Sequence, residues 1–354
     1  MAPRATRNGS PAVARRGCRL NPHLAALLAL AALALCRYAA PELDPRPPAA
    51  TRTAVRNMDR VPGGEPVPDG KRALRDAAYL AGGIGPRPSG TGGEEAALAY
   101  AAQVLAGAGW QVQWQRGIPM APSALRTANV VATHPHPKPG ASAVVLVGAH
   151  VDSIRLPGGA SPGGNDNASG VAVLLEAARV LAPRELPYRL VFVAFGGEES
   201  VDGHPDHHHY GSRRLAAQWS RDGTMADLRL MVSLDMVGRG VTLELRTAGP
   251  PDRRASALAL RSARRLGLQM TIRGDQRGSD HEPFAARGAP ALWLYRSGDG
   301  DHHTSADTPE RLAAAPLEQT CRLLLDVLSC PAPPAGGPPS NTREDSVRRS
   351  SARP

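Results

Sequence analysis

Aromatic residues, cysteines and long apolar runs are all scarce in this sequence, and each scarcity excludes a class of protein. Of the 354 residues, only 4% are aromatic and only four are cysteine. No Cys-x-x-Cys pair occurs, which argues against a thiolate zinc site or a thioredoxin-type redox motif. The longest apolar run, residues 24–36, has about 13 residues, whereas a membrane-spanning helix needs ~20. No internal period is present, which excludes a repeat protein.

Negative charge is also in short supply, because 42 Lys and Arg residues face 32 Asp and Glu residues and the formal net charge is +10. The excess lies at the ends of the chain, with roughly +7 before residue 61 and roughly +2 after residue 330. A domain that binds nucleic acid would carry its positive charge on a folded face. The charge distribution therefore predicts no nucleic-acid partner.

The N-terminal residues have the order of a targeting segment. A group of arginines precedes the apolar run: Arg4, Arg7, Arg15, Arg16 and Arg19. Charge followed by a short apolar run is typical of a signal peptide. We therefore expect residues 1–37 to be a signal peptide or an uncleaved signal anchor. The protein would then be exported, either periplasmic, secreted or membrane-anchored, and only an uncleaved leader would contact a membrane.

Composition divides the rest of the chain. Residues 38–68 are rich in Pro, Arg and Ala, which is typical of a linker, and residues 331–354 have the composition of a disordered tail. The folded domain is therefore predicted to span residues 69–330. Cys321 and Cys330 flank a helical pattern near its end. They form either a disulfide in an exported product or, as we favour, two inert thiols.

Strand-like and helix-like patterns alternate within this domain, which predicts an α/β layered fold. The predicted strands are near-continuous apolar runs, as expected for a sheet that is buried on both faces. They cover Asn129–Ala132, Ala143–Ala149, Arg189–Phe195, Leu228–Leu234 and Ala291–Tyr295. The predicted helices cover approximately residues 70–82, 93–108, 168–182, 252–266 and 312–329.

Polar side chains follow three of these predicted strands at the points where the strands end. One strand runs into His150, the next is followed by Glu198 and Glu199, and the third by Asp235. In open α/β sheets the ligand crevice lies outside the carboxyl ends of the strands. These residues, although far apart in the sequence, are therefore expected to converge at one site.

Two further segments add candidate ligands to this site. Asp166 lies in a turn rich in Gly and Asn, just before a predicted helix, and His303 lies in a polar loop after the last predicted strand. Imidazoles and carboxylates without thiolates suit a catalytic zinc site. Two zinc ions ~3.5–4 Å apart need one bridging carboxylate and two terminal ligands each. Five protein ligands, one of which is shared by both ions, satisfy this requirement.

Several short motifs, in this order, resemble the zinc aminopeptidases of metallopeptidase family twenty-eight. The motifs are HVDS, GGNDNASG, GGEES, LDMVG, SDHEPF and HTSADT, and the early GPRPSGT (Gly85 to Thr91) resembles a family segment as well. The resemblance covers residues 69–330. It implies a single α/β/α layered domain with a mixed, mainly parallel central sheet. It also implies a peptide substrate with a free N-terminus.

The resemblance further implies two Zn²⁺ ions and a role for each candidate residue. Asp166 would bridge the metals, His150 and Asp235 would hold one zinc, and Glu199 and His303 the other. Glu198 would be the general base. Asp152 would orient His150, as metal-bound imidazoles require.

Two alternatives to an aminopeptidase stay open. Glutaminyl-peptide cyclases share this fold, and they have a longer insertion after the second glutamate that ends, as here, in Tyr-Gly-Ser-Arg (from Tyr210). His302 also departs from a simple aminopeptidase, since some aminopeptidases have Tyr at this position, and the cyclases have Trp. However, the insertion contains no Trp to hold a glutamine side chain. The third possibility is a catalytically inactive binding domain, which the complete set of ligands disfavours. We therefore favour an exported peptidase.

Two smaller features have more than one interpretation. The histidines of the insertion form either an additional metal site or, as we favour, a solvated loop: His204, His207, His208 and His209. The SDHEPF motif predicts that Asp280 or His281 lies at the rim of the site, with His302 as a further candidate there. Ser279 could instead, or in addition, cap a helix.

Overall fold

The computed structural model describes residues 66–204 and 206–329. The predicted leader, most of the linker, the tail and Cys330 lie outside these ranges, so the expectations about them stay predictions. Within the described ranges, no helix is both long and apolar enough to cross a membrane.

Eight helices and ten strands make up this part of the chain, together with a few single turns. The helices are α1 Gly70–Ala78, α2 Gly92–Gly107, α3 Ser169–Leu181, α4 Tyr210–Asp222, α5 Thr224–Asp227, α6 Arg253–Arg265, α7 Glu282–Ala285 and α8 Ala314–Ser329. The strands are β1 Gln111–Pro119, β2 Arg126–Thr133, β3 Val144–His150, β4 Arg155–Leu156, β5 Gly159–Ala160, β6 Arg189–Phe195, β7 Leu228–Leu234, β8 Thr242–Arg246, β9 Met270–Arg273 and β10 Ala291–Ser297.

Eight of the strands form one mixed sheet in the order β1-β2-β6-β3-β7-β10-β8-β9. The central strands β6, β3, β7 and β10 run parallel to one another, and β8 is parallel to β9. Strands β1 and β2 are antiparallel to their neighbours, and so is β8 to β10. The sheet is therefore mixed and mainly parallel, as predicted.

Helices cover both faces of this sheet, so the domain has three layers. Every residue of β3 is buried, and successive side chains contribute to opposite cores. Val145 and Val147 belong to the large core under α1, α2, α3, α6 and α8, whereas Val144 and Leu146 belong to a smaller core under α4 and α7. This period of two is the reason that the central strands read as continuous apolar runs. The predicted fold class is confirmed.

Buried strands were predicted well and peripheral elements were not. Arg189–Phe195 and Leu228–Leu234 match β6 and β7 to the residue. By contrast, β1, β8, β9 and α4 were not predicted. β1 is an edge strand whose sequence, QVQWQRGIP, is largely exposed. A search for continuous apolar runs misses a strand of this kind, because only part of it contributes to a core.

A buried ion pair ties α1 to α3 beneath the sheet. Arg72 donates two hydrogen bonds to Glu176, at 2.7 and 2.8 Å, and the Glu176 side chain is fully buried. Glu176→Ala leaves the guanidinium buried without its partner, so we expect a loss of about 3–5 kcal/mol in the free energy of unfolding. Denaturant unfolding measures it. The control is Glu95→Ala, which removes a pair of half-exposed side chains with Arg116 and should cost less than about 1 kcal/mol. Equal losses in the two variants would contradict the prediction.

A second buried polar group predicts how stability depends on pH. His134 is 1% exposed, its Nδ1 accepts the His136 backbone N–H at 3.2 Å, and its Nε2 donates to the Leu181 carbonyl at 2.9 Å. Burial lowers the pKa of His134, so the folded protein holds it neutral while the unfolded chain binds a proton below about 6.5. We therefore expect stability to fall as the pH drops below 6.5, and to fall less in His134→Gln. Denaturant unfolding at pH 7.5 and 5.5 tests this, and identical pH dependence in the two proteins would contradict it.

Candidate metal centre

Four parallel strands bring the candidate residues to one edge of the sheet. β3 ends at His150, β6 is followed by the Gly196–Ser200 segment, and β7 is followed directly by Asp235. The loop after β10 carries His302 and His303. Since β6, β3, β7 and β10 are neighbours and parallel, their carboxyl ends meet at one edge of the sheet, as the sequence predicts.

Asp166 reaches this edge from the turn before α3, and a network of hydrogen bonds holds that turn. The Asp307 carboxylate accepts the backbone N–H groups of Asn165 and Asp166 at 2.6 and 3.0 Å. The Asn167 carboxamide donates to the Leu234 carbonyl at the end of β7, at 2.9 Å. The turn is therefore fixed both to the end of the sheet and to the loop that carries His303.

The two oxygens of Asp166 face two different histidines. Oδ1 lies 3.3 Å from His150 Nε2, and Oδ2 lies 3.2 Å from His303 Nε2. On one side, His150 Nε2 is 3.6 Å from Asp235 Oδ1; on the other, His303 Nε2 is 3.4 Å from Glu199 Oε2. The five predicted ligands thus form two groups that share Asp166.

The donor atoms fit divalent cations. Ligand atoms of His150, Asp166 and Glu199 lie within 4.8 Å of one another, and so do those of His150, Glu198 and Asp235. Glu199 Oε1 and Asp235 Oδ1 are buried without a hydrogen-bond partner in the described part of the chain. Buried carboxylate oxygens are costly unless they are paired or bind a cation. Nitrogen and oxygen donors without thiolates suit Zn²⁺.

The charges of the site also favour the binding of a divalent cation. Burial alone would lower the pKa of His303, but hydrogen bonds with Asp166 and Glu199 raise it to about 10. Burial raises the pKa of Glu199 to about 7, and the neighbouring Asp166 charge adds to the effect. A divalent cation that binds here has to displace protons from these groups. Its affinity is therefore expected to fall as the pH is lowered.

His302 lies closer to the candidate ligands than a rim position would suggest. Its Nε2 is 3.2 Å from Asp166 Oδ2, the same oxygen that faces His303, and the two imidazoles are 3.8 Å apart between ring centres. Both side chains are partly exposed, with 46% and 43% of their surface accessible. His302, His303 and Asp166 also form a third group of possible ligands.

Asp152 links His150 to the glutamate segment. The His150 ring donates from Nδ1 to the backbone carbonyl of Asp152 at 3.2 Å. The Asp152 carboxylate oxygen Oδ1 lies 3.6 Å from the same nitrogen. The same carboxylate accepts the backbone N–H groups of Glu198 and Glu199, at 3.2 and 3.0 Å, and the Ser89 hydroxyl at 2.6 Å. Asp152 therefore fixes the spacing between the end of β3 and the segment after β6.

Glu198 projects into the same pocket. Its donor atom lies within 4.8 Å of those of His150 and Asp235, and the residue is only 7% exposed. Burial raises the pKa of Glu198 well above its usual value, and the nearby Glu199, Asp280 and Asp235 charges raise it further against the opposing effect of His150. A carboxylate in such a place is a candidate general base.

The structure corrects the predicted rim position of Asp280 and His281. Both are fully buried, and neither lines the pocket. Burial raises the pKa of Asp280 to about 7, while the His281 ring contacts the Gln276 carbonyl from Nε2 at 3.1 Å. The proposed cap is corrected as well, because helix α7 begins at Glu282 and the Ser279 hydroxyl bonds to that of Ser233.

The pocket in front of the ligands has a volume of about 350 Å³ and an aromatic wall. Trp293 and Tyr295 of β10 form this wall, and the Arg246 guanidinium stacks on both rings, 3.5 Å from the centre of Tyr295 and 4.7 Å from that of Trp293. His208 and Arg277 contribute to the same pocket. The candidate ligands themselves form part of the lining of this pocket.

Arg87 supports the backbone around the site. In the sequence, it was indicated only by the segment GPRPSGT, which resembles a segment of the family. It is fully buried, and its guanidinium donates to five backbone carbonyls at 2.7–2.9 Å: those of Leu80, Gly85, Val151, Pro162 and Gly163. Two segments are held by these bonds: the one that follows His150, through Val151, and the one that precedes the Asp166 turn, through Pro162 and Gly163. A single arginine therefore positions both sides of the ligand cluster.

Comparisons with known proteins agree on one family. Residues 129–328, more than half of the chain, match the profile of Peptidase family M28. The glutaminyl-peptide cyclotransferase of Drosophila melanogaster is 29% identical over 238 residues, which cover 59% of this chain and 66% of that protein. The aminopeptidase YwaD of Bacillus subtilis is 30% identical over 190 residues, covering 50% of this chain and 38% of that protein. The chain thus spans less than two thirds of either relative.

A solved structure gives the same fold. BSAP, a zinc aminopeptidase from Bacillus subtilis, superposes with a TM-score of 0.65 at 18% sequence identity, and the match covers 75% of this chain and 95% of that one. At this identity the likeness concerns the arrangement of the sheet and helices.

Proposed function

Because this chain belongs to peptidase family M28, we propose that it is a zinc-dependent aminopeptidase, which removes residues from the free N-terminus of peptides. The observation that carries the proposal is the position of Asp166, whose two oxygens lie 3.3 and 3.2 Å from His150 and His303. A single carboxylate between two imidazoles suits a bridging ligand. The aminopeptidase relative supports the choice of reaction.

The donor set supports two Zn²⁺ ions. His150 and Asp235 would hold one, Glu199 and His303 would hold the other, and Asp166 would serve both. Bound zinc supplies Lewis acidity, which polarises a substrate carbonyl and acidifies a water molecule. His302 Nε2 lies as close to Asp166 Oδ2 as His303 Nε2 does, so the two histidines would compete to bind the same zinc ion.

The protein's own residues would move the proton of the reaction. Glu198 would take a proton from the attacking water and deliver it to the nitrogen of the leaving amine. A C–O bond forms as the peptide C–N bond breaks, so Glu198 ends the cycle as it began.

Export of the protein is a separate proposal. It rests on the arginine-rich segment and apolar run within residues 1–37. A peptidase delivered to the periplasm or the medium would act on extracellular peptides. Cleavage of the leader would leave the domain free, and an uncleaved leader would anchor it to the membrane.

A glutaminyl-peptide cyclase is the second candidate. The Drosophila relative carries that name, and the aromatic wall of Trp293 and Tyr295 offers a surface for a flat carboxamide. In that reaction the α-amine of an N-terminal glutamine would attack its own side-chain carbonyl and release ammonia. An inactive binding domain is disfavoured, because all five ligand positions carry suitable side chains and the position of the general base carries a glutamate.

One experiment separates these functions. Purified zinc-loaded protein is incubated with a panel of aminoacyl chromogenic substrates and with peptides that begin with glutamine, each with and without a chelator. The proposal predicts release of free amino acids that the chelator abolishes and added zinc restores. Ammonia and a cyclised N-terminus from the glutamine peptides, without free amino acids, would instead establish the cyclase. No turnover and no stoichiometric zinc would favour the binding domain.

A further inference from the structure

The insertion after Glu199 returns to the segment from which it departs. His209, Tyr210 and Gly211 donate their backbone N–H groups to the carbonyls of Glu198, Gly197 and Gly196, at 2.8, 2.7 and 3.1 Å. The loop is thus closed against the backbone of Glu198 itself. His209 has a φ of 56°, in the left-handed region that residues other than glycine rarely adopt. The loop therefore presents His209 in a fixed and strained conformation.

The histidines of this loop separate into an outer and an inner set. His204 is exposed, and His207 pairs with Asp202 at 2.7 Å. In contrast, His208 lines the pocket and His209 is only 1% exposed. Among the described residues, the loop holds no group of three ligand atoms within 4.8 Å of one another. The solvated interpretation is therefore correct for the outer set and wrong for His209.

The His209 side chain contacts the candidate base. Its Nε2 lies 2.8 Å from Glu198 Oε1, and both side chains are buried. The other ring nitrogen, Nδ1, has no hydrogen-bond partner among residues 66–204 and 206–329, and the carboxylate of Glu282 lies 4.0 Å from it. The other charged or titratable groups that act on the ring are His208, Arg213, His281 and His150. The 2.8 Å contact between Nε2 and Glu198 Oε1 is thus the shortest contact with a carboxylate that the His209 ring makes within the described chain.

We propose that His209 is a positioning residue for Glu198, a role that rests on the proposed hydrolase function. With its proton on Nε2, the imidazole donates to Oε1 of the ionised carboxylate. This bond fixes the rotation of the carboxylate and leaves Oε2 to exchange a proton with water and the leaving amine. The strained backbone of His209 and the three backbone bonds at residues 209–211 hold the ring in place.

The role predicts a defect in turnover without a defect in metal binding. His209→Leu removes the donor, so Glu198 can rotate away from its productive orientation. Loss of a residue that orients a catalytic group costs roughly 10- to 100-fold. We expect kcat to fall by that factor, while KM and zinc content stay close to those of the wild type.

His209→Gln is the conservative partner of this variant, because its carboxamide nitrogen can donate to Oε1 from a similar distance. Leu and Gln bear the same left-handed backbone strain, so the comparison isolates the hydrogen bond. We expect His209→Gln to recover most of the lost kcat. His134→Gln, which alters a buried histidine remote from the pocket, is the control and should keep wild-type kcat. Wild-type turnover in His209→Leu, or equal losses in the Leu and Gln variants, would overturn the proposal.

A second measurement does not depend on turnover. In nitrogen-15 NMR spectra of the zinc-loaded wild type, His209 should be the Nε2–H tautomer, with a slowly exchanging proton that loses its protection in Glu198→Ala. If the wild type cleaves no peptide but this signal is present, the proposed function fails and the contact stands. If the wild type is active but His209 carries its proton on Nδ1, the positioning role fails and the hydrolase stands.

Discussion

Glu198→Gln is expected to lower kcat by about 10²- to 10⁴-fold while the protein keeps its zinc. Glutamine has nearly the shape of glutamate and can still accept the hydrogen bond from His209, but it cannot take a proton from water. The ligands His150, Asp166 and Asp235 are untouched. Steady-state kinetics with an aminoacyl substrate and zinc analysis of the same sample measure the two effects together.

The matched control for this variant is Glu282→Gln. Glu282 lies beyond His209, 4.0 Å from its Nδ1, and pairs at 3.1 Å with the exposed Arg277 side chain. It does not touch Glu198, so kcat should change by less than about tenfold. If Glu198→Gln retains near-normal turnover, the identity of the base is wrong, and the assignment of the metal ligands is unaffected.

Asp166→Asn is expected to remove both bound zinc and activity. Asparagine keeps one oxygen acceptor, but it replaces the second oxygen with an NH₂ group and loses the negative charge. The donor between His150 and His303 would then serve at most one cation. We expect the zinc content to fall by at least one equivalent and turnover to fall to the level of the chelated protein. Zinc analysis after dialysis, followed by kinetics at several zinc concentrations, tests this.

Asp202→Asn is the control for the charge change. Asp202 lies in the exposed part of the insertion, where it pairs with His207. Its replacement should leave zinc content and kcat unchanged. Glu198→Gln and Asp166→Asn should therefore differ in their defects, since the first keeps its metal without turnover and the second loses both. Full zinc content and normal kcat in Asp166→Asn would contradict a bridging role.

The convergence of the ligands was predictable because it follows from sheet geometry. His150 and Asp235 come at or directly after strands that are apolar throughout, and such strands are easy to recognise. Parallel neighbours end at the same edge of a sheet, so residues 85 positions apart in sequence, as these are, can be expected to meet. The position of Asp166 was harder to predict from the sequence, because it depends on the Asp307 carboxylate, which lies far along the chain.

Burial of polar residues was less predictable. Asp280 and His281 belong to a polar motif, so a place at the rim was the natural expectation, yet both are fully buried. Both oxygens of Asp280 and Nδ1 of His281 are buried without a hydrogen-bond partner among the described residues, and the local sequence gives no sign of this burial. For His209 the reason is similar: its position depends on backbone bonds to residues 196–198, and a run of histidines gives no sign of them.

Backbone strain offers a signal that only the structure provides. Within the described ranges, four residues other than glycine have a positive φ, and three of these line the pocket: His209, Met236 and His303. Each is held by elements that end at the ligand cluster. Strain of this kind concentrates at functional sites because the surrounding structure must enforce it. Its distribution agrees with a site at the carboxyl edge of the sheet.

The most direct test is the position of the metal itself. Crystals of the zinc-loaded protein, measured at the zinc absorption edge, should give two anomalous peaks ~3.5–4 Å apart, with one Asp166 oxygen facing each. His150 and Asp235 should contact one peak, and Glu199 and His303 the other. A single peak that Asp166 does not touch, or no peak at this edge of the sheet, would contradict the dinuclear centre.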